Sequence, residues 1–132
     1  MKITIEFIEH LNQRYNTCGD WQFDKDGNLN MKVSILLDMG LTGSYLIAIH
    51  ELVEALLCQH RGITTEMVDQ FDLNYDATSD IEPGDHPACP CHKEHCTATG
   101  IERILAPEFD VEWLPYENEL IELTEQYADE HE

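Results

Sequence analysis

His50, Glu51 and Glu54 stand inside the run Ile47-Ala48-Ile49-His50-Glu51-Leu52-Val53-Glu54-Ala55-Leu56-Leu57, which is otherwise apolar. No Gly or Pro interrupts Ser44 to Arg61, and Ala, Leu and Glu favour helix, so the stretch predicts one helix. Its apolar residues lie nearly all round, the pattern of a buried helix. On it His50 and Glu54, four residues apart, share one face, with Glu51 about a third of a turn round from His50. Burying two carboxylates and an imidazole among Leu, Ile and Val is costly unless something pairs with them. A divalent metal would do so, with His50 and Glu54 as ligands and Glu51 free to work on a metal-bound water. The plainer alternative is a helix whose His and Glu lie at its solvent edge.

Two helix ligands leave such a site incomplete, because catalytic zinc usually takes three protein ligands and a water. His95 is the expected third ligand: it begins a helix after a long loop and faces the same side as Glu102. His92, one turn earlier, is the runner-up, and Glu94 is a further candidate. His86 lies in the loop, and His10, His60 and His131 have no supporting context. A rival constellation is Cys89, Cys91, His92, His95 and Cys96. Structural zinc sites use four Cys/His ligands, usually in separated pairs, whereas these five crowd within eight residues. Cys58, one turn beyond Glu54, reads as a core residue.

His50-Glu51-Leu52-Val53-Glu54 on a buried helix after a β-hairpin resembles the active helix of zincin metallopeptidases. In that family the motif is H-E-x-x-H, with both His binding zinc and the first Glu serving as general base. The resemblance implies His50 as ligand and Glu51 as base. Glu54 occupies the place of the second histidine, a departure that changes the charge and softness of the site. Zn²⁺ still fits, and Mn²⁺ or Fe²⁺ gain ground. The implied chemistry is metal-assisted hydrolysis of a peptide or other amide. The metal would lower the pKa of its water, Glu51 would take the proton, and the metal would polarise the scissile carbonyl. The likeness covers the helix and the preceding hairpin, about a third of the chain. Size and acidic composition also resemble small phage and prophage proteins.

Elements that would position these residues follow along the chain. Lys2 to Ile8 reads as a strand or the start of a short helix. Trp21-Gln22-Phe23 and Leu29 to Leu37 flank Asp24-Lys25-Asp26-Gly27-Asn28, a strong hairpin signal. A calcium loop in that turn fails, because Leu29 stands where the loop needs Gly. Thr42 or Ser44 is the expected N-cap of the motif helix and Gly62 its stop. Thr64 to Tyr75 reads as a short amphipathic helix capped by Thr64 or Thr65. Asp76 to Pro90 has no periodicity, and a loop so long is often functional. A second calcium-loop pattern from Asp72 to Pro83 fails at Ala77 and Pro83. A helix runs from His92 or Lys93 until Pro107 ends it. Pro115 to Glu132 reads as a surface amphipathic helix with Leu120, Ile121, Leu123 and Tyr127 on one side. The expected fold is therefore a single α+β domain over residues 1–132. A short antiparallel sheet, formed by an N-terminal strand plus the hairpin, would pack against the buried metal-motif helix and two to three further helices.

The chain has 27 acidic and 7 basic residues, a formal net charge of −20. Such a surface repels nucleic acid and anionic membranes and favours a cationic peptide or protein partner. It would also suit a protein that mimics DNA. The N-terminus does not read as a signal peptide, and no uncharged apolar run reaches the length of a membrane span. Five Cys, an odd count without secretory context, fit reduced thiols in the cytoplasm. Three classes compete: a small zincin-like hydrolase, a metal-stabilised binding or regulatory protein, and an acidic interaction protein.

Overall fold

In the computed structural model, which describes residues 1–75 and 81–131, the fold is α+β. Strands β1 (Ile3–Ile8), β2 (Gly19–Phe23) and β3 (Leu29–Ser34) form one sheet in the order β1-β3-β2. Four helices follow: α1 (Gly40–His60), α2 (Thr65–Leu73), α3 (His92–Leu105) and α4 (Trp113–Glu130).

The expected hairpin is present. β2 and β3 pair antiparallel around the Asp24–Asn28 turn, where Asp24 Oδ1 accepts from the backbone N–H groups of Asp26 and Asn28, both at 2.9 Å. Alternation on β3 sends Leu29, Met31 and Val33 into the core and Asn30 and Lys32 to solvent. The sheet is mixed, however, and not purely antiparallel, because β1 runs parallel to β3 with Ile3 opposite Leu29 and Ile8 opposite Ser34. The chain from Glu9 to Cys18 crosses to the far edge, and the hairpin then inserts β3 between β1 and β2. Polar contacts fix that crossover. His10 Nδ1 lies 2.8 Å from Ser34 Oγ, Gln13 Nε2 donates to Ser34 Oγ at 3.1 Å, and Arg14 pairs with Asp20 at 2.7 Å.

β3 stops at Ser34, three residues before the expected end, and Leu37 is 84 % exposed. α1 begins at Gly40, and neither Thr42 nor Ser44 caps it. Ser44 Oγ instead accepts from Leu36 N–H and donates to the Ser34 carbonyl, each at 3.1 Å, which stitches the strand exit to the helix. The cap comes from α4. Glu119 accepts from the N–H groups of Asp38 at 3.0 Å and Met39 at 2.8 Å, setting a carboxylate against the positive end of the helix. At the other end α1 stops as expected. Ile63 N–H bonds Cys58 O and Gly62 N–H bonds Gln59 O, which closes the last turn.

α1 crosses the sheet and packs along α3. Its outer flank is uncovered, with Leu41, Tyr45 and Leu56 at least 40 % exposed, so the all-round apolar pattern marks burial on the inner sides only. By length and composition α1 could cross a membrane, and 56 % of its most apolar window is buried within this fold. α2 starts at Thr64, whose side chain accepts from Met67 N–H at 3.2 Å. On α4 the inward residues are Tyr116, Glu119 and Tyr127, with Leu120 and Leu123 partly buried; Ile121 is exposed, against expectation. In the long loop, residues 76–80 lie outside the described residues, and Pro83–Asp85 form a short 3-10 turn instead of irregular chain.

Two apolar clusters meet on α1. One gathers Trp21, Leu29, Met31, Val68, Cys89 and Cys91 around Ala55 and Cys58. The other gathers Val33, Leu36, Ala106, Val111 and Tyr116 around Leu46, Ile47 and Ala48. His50, Glu51 and Glu54 occupy the stretch of helix between them.

Candidate metal centre

α1 and α3 face one another at that waist. His50 and Glu54 project from α1 and His95 from the first turn of α3. His50 Nε2 lies 3.0 Å from Glu54 Oε2 and 3.2 Å from His95 Nδ1, and His95 Nδ1 lies 3.2 Å from Glu54 Oε2. Two imidazole nitrogens and one carboxylate oxygen thus form a near-equilateral triangle. A tetrahedral zinc with bonds near 2.0–2.1 Å holds its ligand atoms about 3.3 Å apart, so the triangle is close to the size that such an ion spans. All three side chains are buried or nearly so, at 8–12 % exposure. The three ligands expected from the sequence are therefore brought together, and they could hold a metal ion.

Two of the three remaining polar atoms of the triad are also hydrogen-bonded. Trp21 Nε1–H donates to Glu54 Oε1 at 3.3 Å. His50 Nδ1–H donates to Glu102 Oε1 at 2.8 Å, and the Tyr116 hydroxyl donates to Glu102 Oε2. Giving Nδ1–H to a carboxylate fixes the tautomer that leaves Nε2 directed at the triad, the arrangement common to metal-bound histidines. Glu102 shares a face with His95, seven residues on, but its role as the buried partner of His50 was not read from the sequence. The cue was a carboxylate on the His95 face of an otherwise mixed helix.

The electrostatics show what holds the triad without an ion. Burial alone would depress the His50 pKa, but the bonds to Glu102 and Glu54 reverse this and hold it well above the ordinary imidazole value. Burial would raise Glu54, yet its bonds to His50 and His95 pull it far below the ordinary carboxylate range. His95 is raised by Glu54 against the opposing effect of burial. These shifts favour the charged imidazole forms, so a metal binding here would compete with protons for the same nitrogens.

Glu51 lies beside the triad without joining it. Burial, then the charge of Glu54, push its pKa well above the ordinary value, which leaves the carboxyl ready to hold a proton. Its side chain presses on Gly19 of β2, where any Cβ would overlap Glu51 Cγ and Cδ. Gly19 is therefore the position on the sheet that admits Glu51.

The other candidates go elsewhere. Glu94 is buried and reaches Arg61 at 3.4 Å, tying α3 to the end of α1. His92 Nδ1–H donates to the Gly84 carbonyl at 3.1 Å. Cys89 and Cys91 are buried in the core with their sulfurs 2.9 Å apart, whereas Cys96 is exposed beside His92. Among the described residues, donor atoms gather in threes at His50–Glu54–His95 and at Glu82–Asp85–His95, and no cysteine belongs to either group. Cys58 is fully buried in the core, as expected. His10, given no role from the sequence, is a buried partner of Ser34.

No family model, curated protein or solved structure matches this chain.

Proposed function

We propose that the chain binds one divalent metal, zinc by preference, through His50 Nε2, Glu54 Oε2 and His95 Nδ1, and that it hydrolyses a peptide or other amide there. The observation that carries the metal half is the triangle of donor atoms, 3.0–3.2 Å on a side, built from two helices and braced by Trp21 and Glu102. Two imidazoles and one carboxylate are a common ligand set for catalytic zinc, and Mn²⁺ and Fe²⁺ are the next candidates. A metal bound here would supply a water of lowered pKa and a Lewis acid for the substrate carbonyl. Glu51 would take the proton from that water and pass it to the leaving amine, a role its raised pKa suits. The net charge of −20 favours a cationic substrate, and five unpaired cysteines suit a reducing, cytoplasmic setting. The likeness of His50-Glu51-x-x-Glu54 to the zincin motif supports the same division of labour.

A second reading is a metal that only clamps α1 to α3, in a binding or regulatory protein. One observation favours it: two surface hollows of about 320 and 370 Å³ lie away from the triad, lined by residues such as Phe71 and Pro90, and Leu11 and Leu123. Metal analysis of the purified protein, with His50→Ala and Glu51→Gln, separates the readings. The hydrolase reading expects metal in the wild type and in Glu51→Gln, loss of metal in His50→Ala, and loss of amide hydrolysis in both variants. Metal bound equally by all three proteins would refute the assignment of His50. Hydrolysis undiminished in Glu51→Gln would refute the general base, and a wild type that hydrolyses no peptide would leave the clamp.

A further inference from the structure

We infer that the Pro83–Asp85 strap is part of the metal centre, with Asp85 the positioning residue that fixes His95; the inference rests on the metal reading above. An imidazole that directs Nδ1 at a metal carries its proton on Nε2, on the opposite edge of the ring. Metal-bound histidines almost always give that N–H to a carboxylate, a carbonyl or a water, which sets the ring and raises its basicity. His50 has Glu102 for this purpose. On the far edge of His95, Asp85 Oδ1 lies 3.3 Å from Nε2, and the more exposed Glu82 stands off at 3.7 Å.

The strap is built to lie close. An ideal Cβ on Gly84 would come within 2.5 Å of His95 Cγ and Nδ1, so the backbone rests directly on the ring and only glycine fits there. His92, one turn before His95 on the same helix, holds the strap down through the Gly84 carbonyl at 3.1 Å. Aspartate has a short side chain, and it reaches Nε2 only while Gly84 keeps the backbone against the ring. Gly84 and Asp85 thus act as one device, and Asp85 is 48 % exposed, so its removal spares the core.

The test is zinc binding by competition with a chelator, for the wild type, Asp85→Ala, Gly84→Ala and, as a control on the hairpin turn, Asp26→Ala. Loss of such an outer partner typically weakens metal affinity about 10–100-fold. That loss is expected for Asp85→Ala and Gly84→Ala and not for Asp26→Ala, with thermal unfolding of the metal-free proteins unchanged for Asp85→Ala. In ¹⁵N NMR of the zinc form, the His95 Nε2–H should be protected from exchange in the wild type and lose that protection in Asp85→Ala. Wild-type affinity in Asp85→Ala would overturn the strap's role and leave the metal site standing. A wild type that takes up no zinc overturns both. Two zinc ions per chain, falling to one in Asp85→Ala, would make Asp85 a ligand of a second ion and overturn its positioning role.

Discussion

The two histidines of the site each set their outer nitrogen against a carboxylate, at opposite depths. His50 gives its outer N–H to Glu102, a carboxylate 5 % exposed that also takes the Tyr116 hydroxyl. His95 sets its outer nitrogen 3.3 Å from Asp85, an ion-pair contact to a carboxylate roughly half exposed, on a short turn whose Gly84 carbonyl accepts from His92. One half of the site is thus continuous with the core, while the other is a surface strap laid over a helix. The difference separates folding from binding. Changes on the His50 side should be read mainly in stability, and changes on the His95 side mainly in metal affinity.

The largest expected effect lies on the buried side. Glu102→Ala leaves the buried His50 Nδ1–H and the Tyr116 hydroxyl without their acceptor. It should cost about 3–5 kcal/mol in denaturant unfolding, as expected when one partner of a buried pair is removed. Gly19→Ala comes next, since a Cβ there drives into Glu51. Overpacking of this kind costs about 1–3 kcal/mol, whereas Gly84→Ala on the strap should cost the metal-free fold far less. Equal losses at the two glycines would erase the contrast.

Asp72, on α2, tests the border between the halves by pH. Burial pushes its pKa up to about 6, although the Tyr15 hydroxyl at 3.1 Å acts in the other direction. A raised carboxyl binds its proton more tightly in the folded chain. Its stabilising contribution is present below the unfolded value near 3.9 and is lost as pH rises through about 6. Asp72→Asn keeps an acceptor for Tyr15 without the charge, so it should gain about 1–2 kcal/mol over the wild type at pH 7 and nothing at pH 4. Unfolding measured across that range checks the sign. The smallest effect belongs to Asp85→Ala, which should leave the stability of the metal-free protein within about 0.5 kcal/mol, as for other exposed positions.

How much of this was legible in the sequence divides along the same line. α1, the hairpin, the Thr64 cap and the shared face of His50 and Glu54 follow from local rules: periodicity, turn chemistry and side chains four apart on one helix. His95 follows only from its place at the start of a helix after the long loop. What escaped depends on contacts between distant segments. The parallel pairing of β1 with β3 is decided by a ten-residue crossover whose bonds run from His10 and Gln13 to Ser34. The cap of α1 arrives from Glu119, eighty residues downstream of Met39. Glu102 is legible only as a carboxylate on the His95 face of its helix, and it takes the packing of α1 on α3 to set it against His50. The strap falls in a stretch without periodicity, and nothing local in Glu82-Pro83-Gly84-Asp85 announces that a histidine ring lies beneath it.

The central claim is that three side chains from two helices hold one metal ion, and zinc titration monitored calorimetrically tests it most directly. The wild type should bind one zinc per chain with proton release, since the ion takes the place of protons on the imidazoles. Glu54→Ala, which removes the only carboxylate of the triangle, should abolish that binding or weaken it by several orders of magnitude. A wild type that binds no zinc, manganese or iron, or a Glu54→Ala variant that binds zinc as tightly as the wild type, would contradict the assignment.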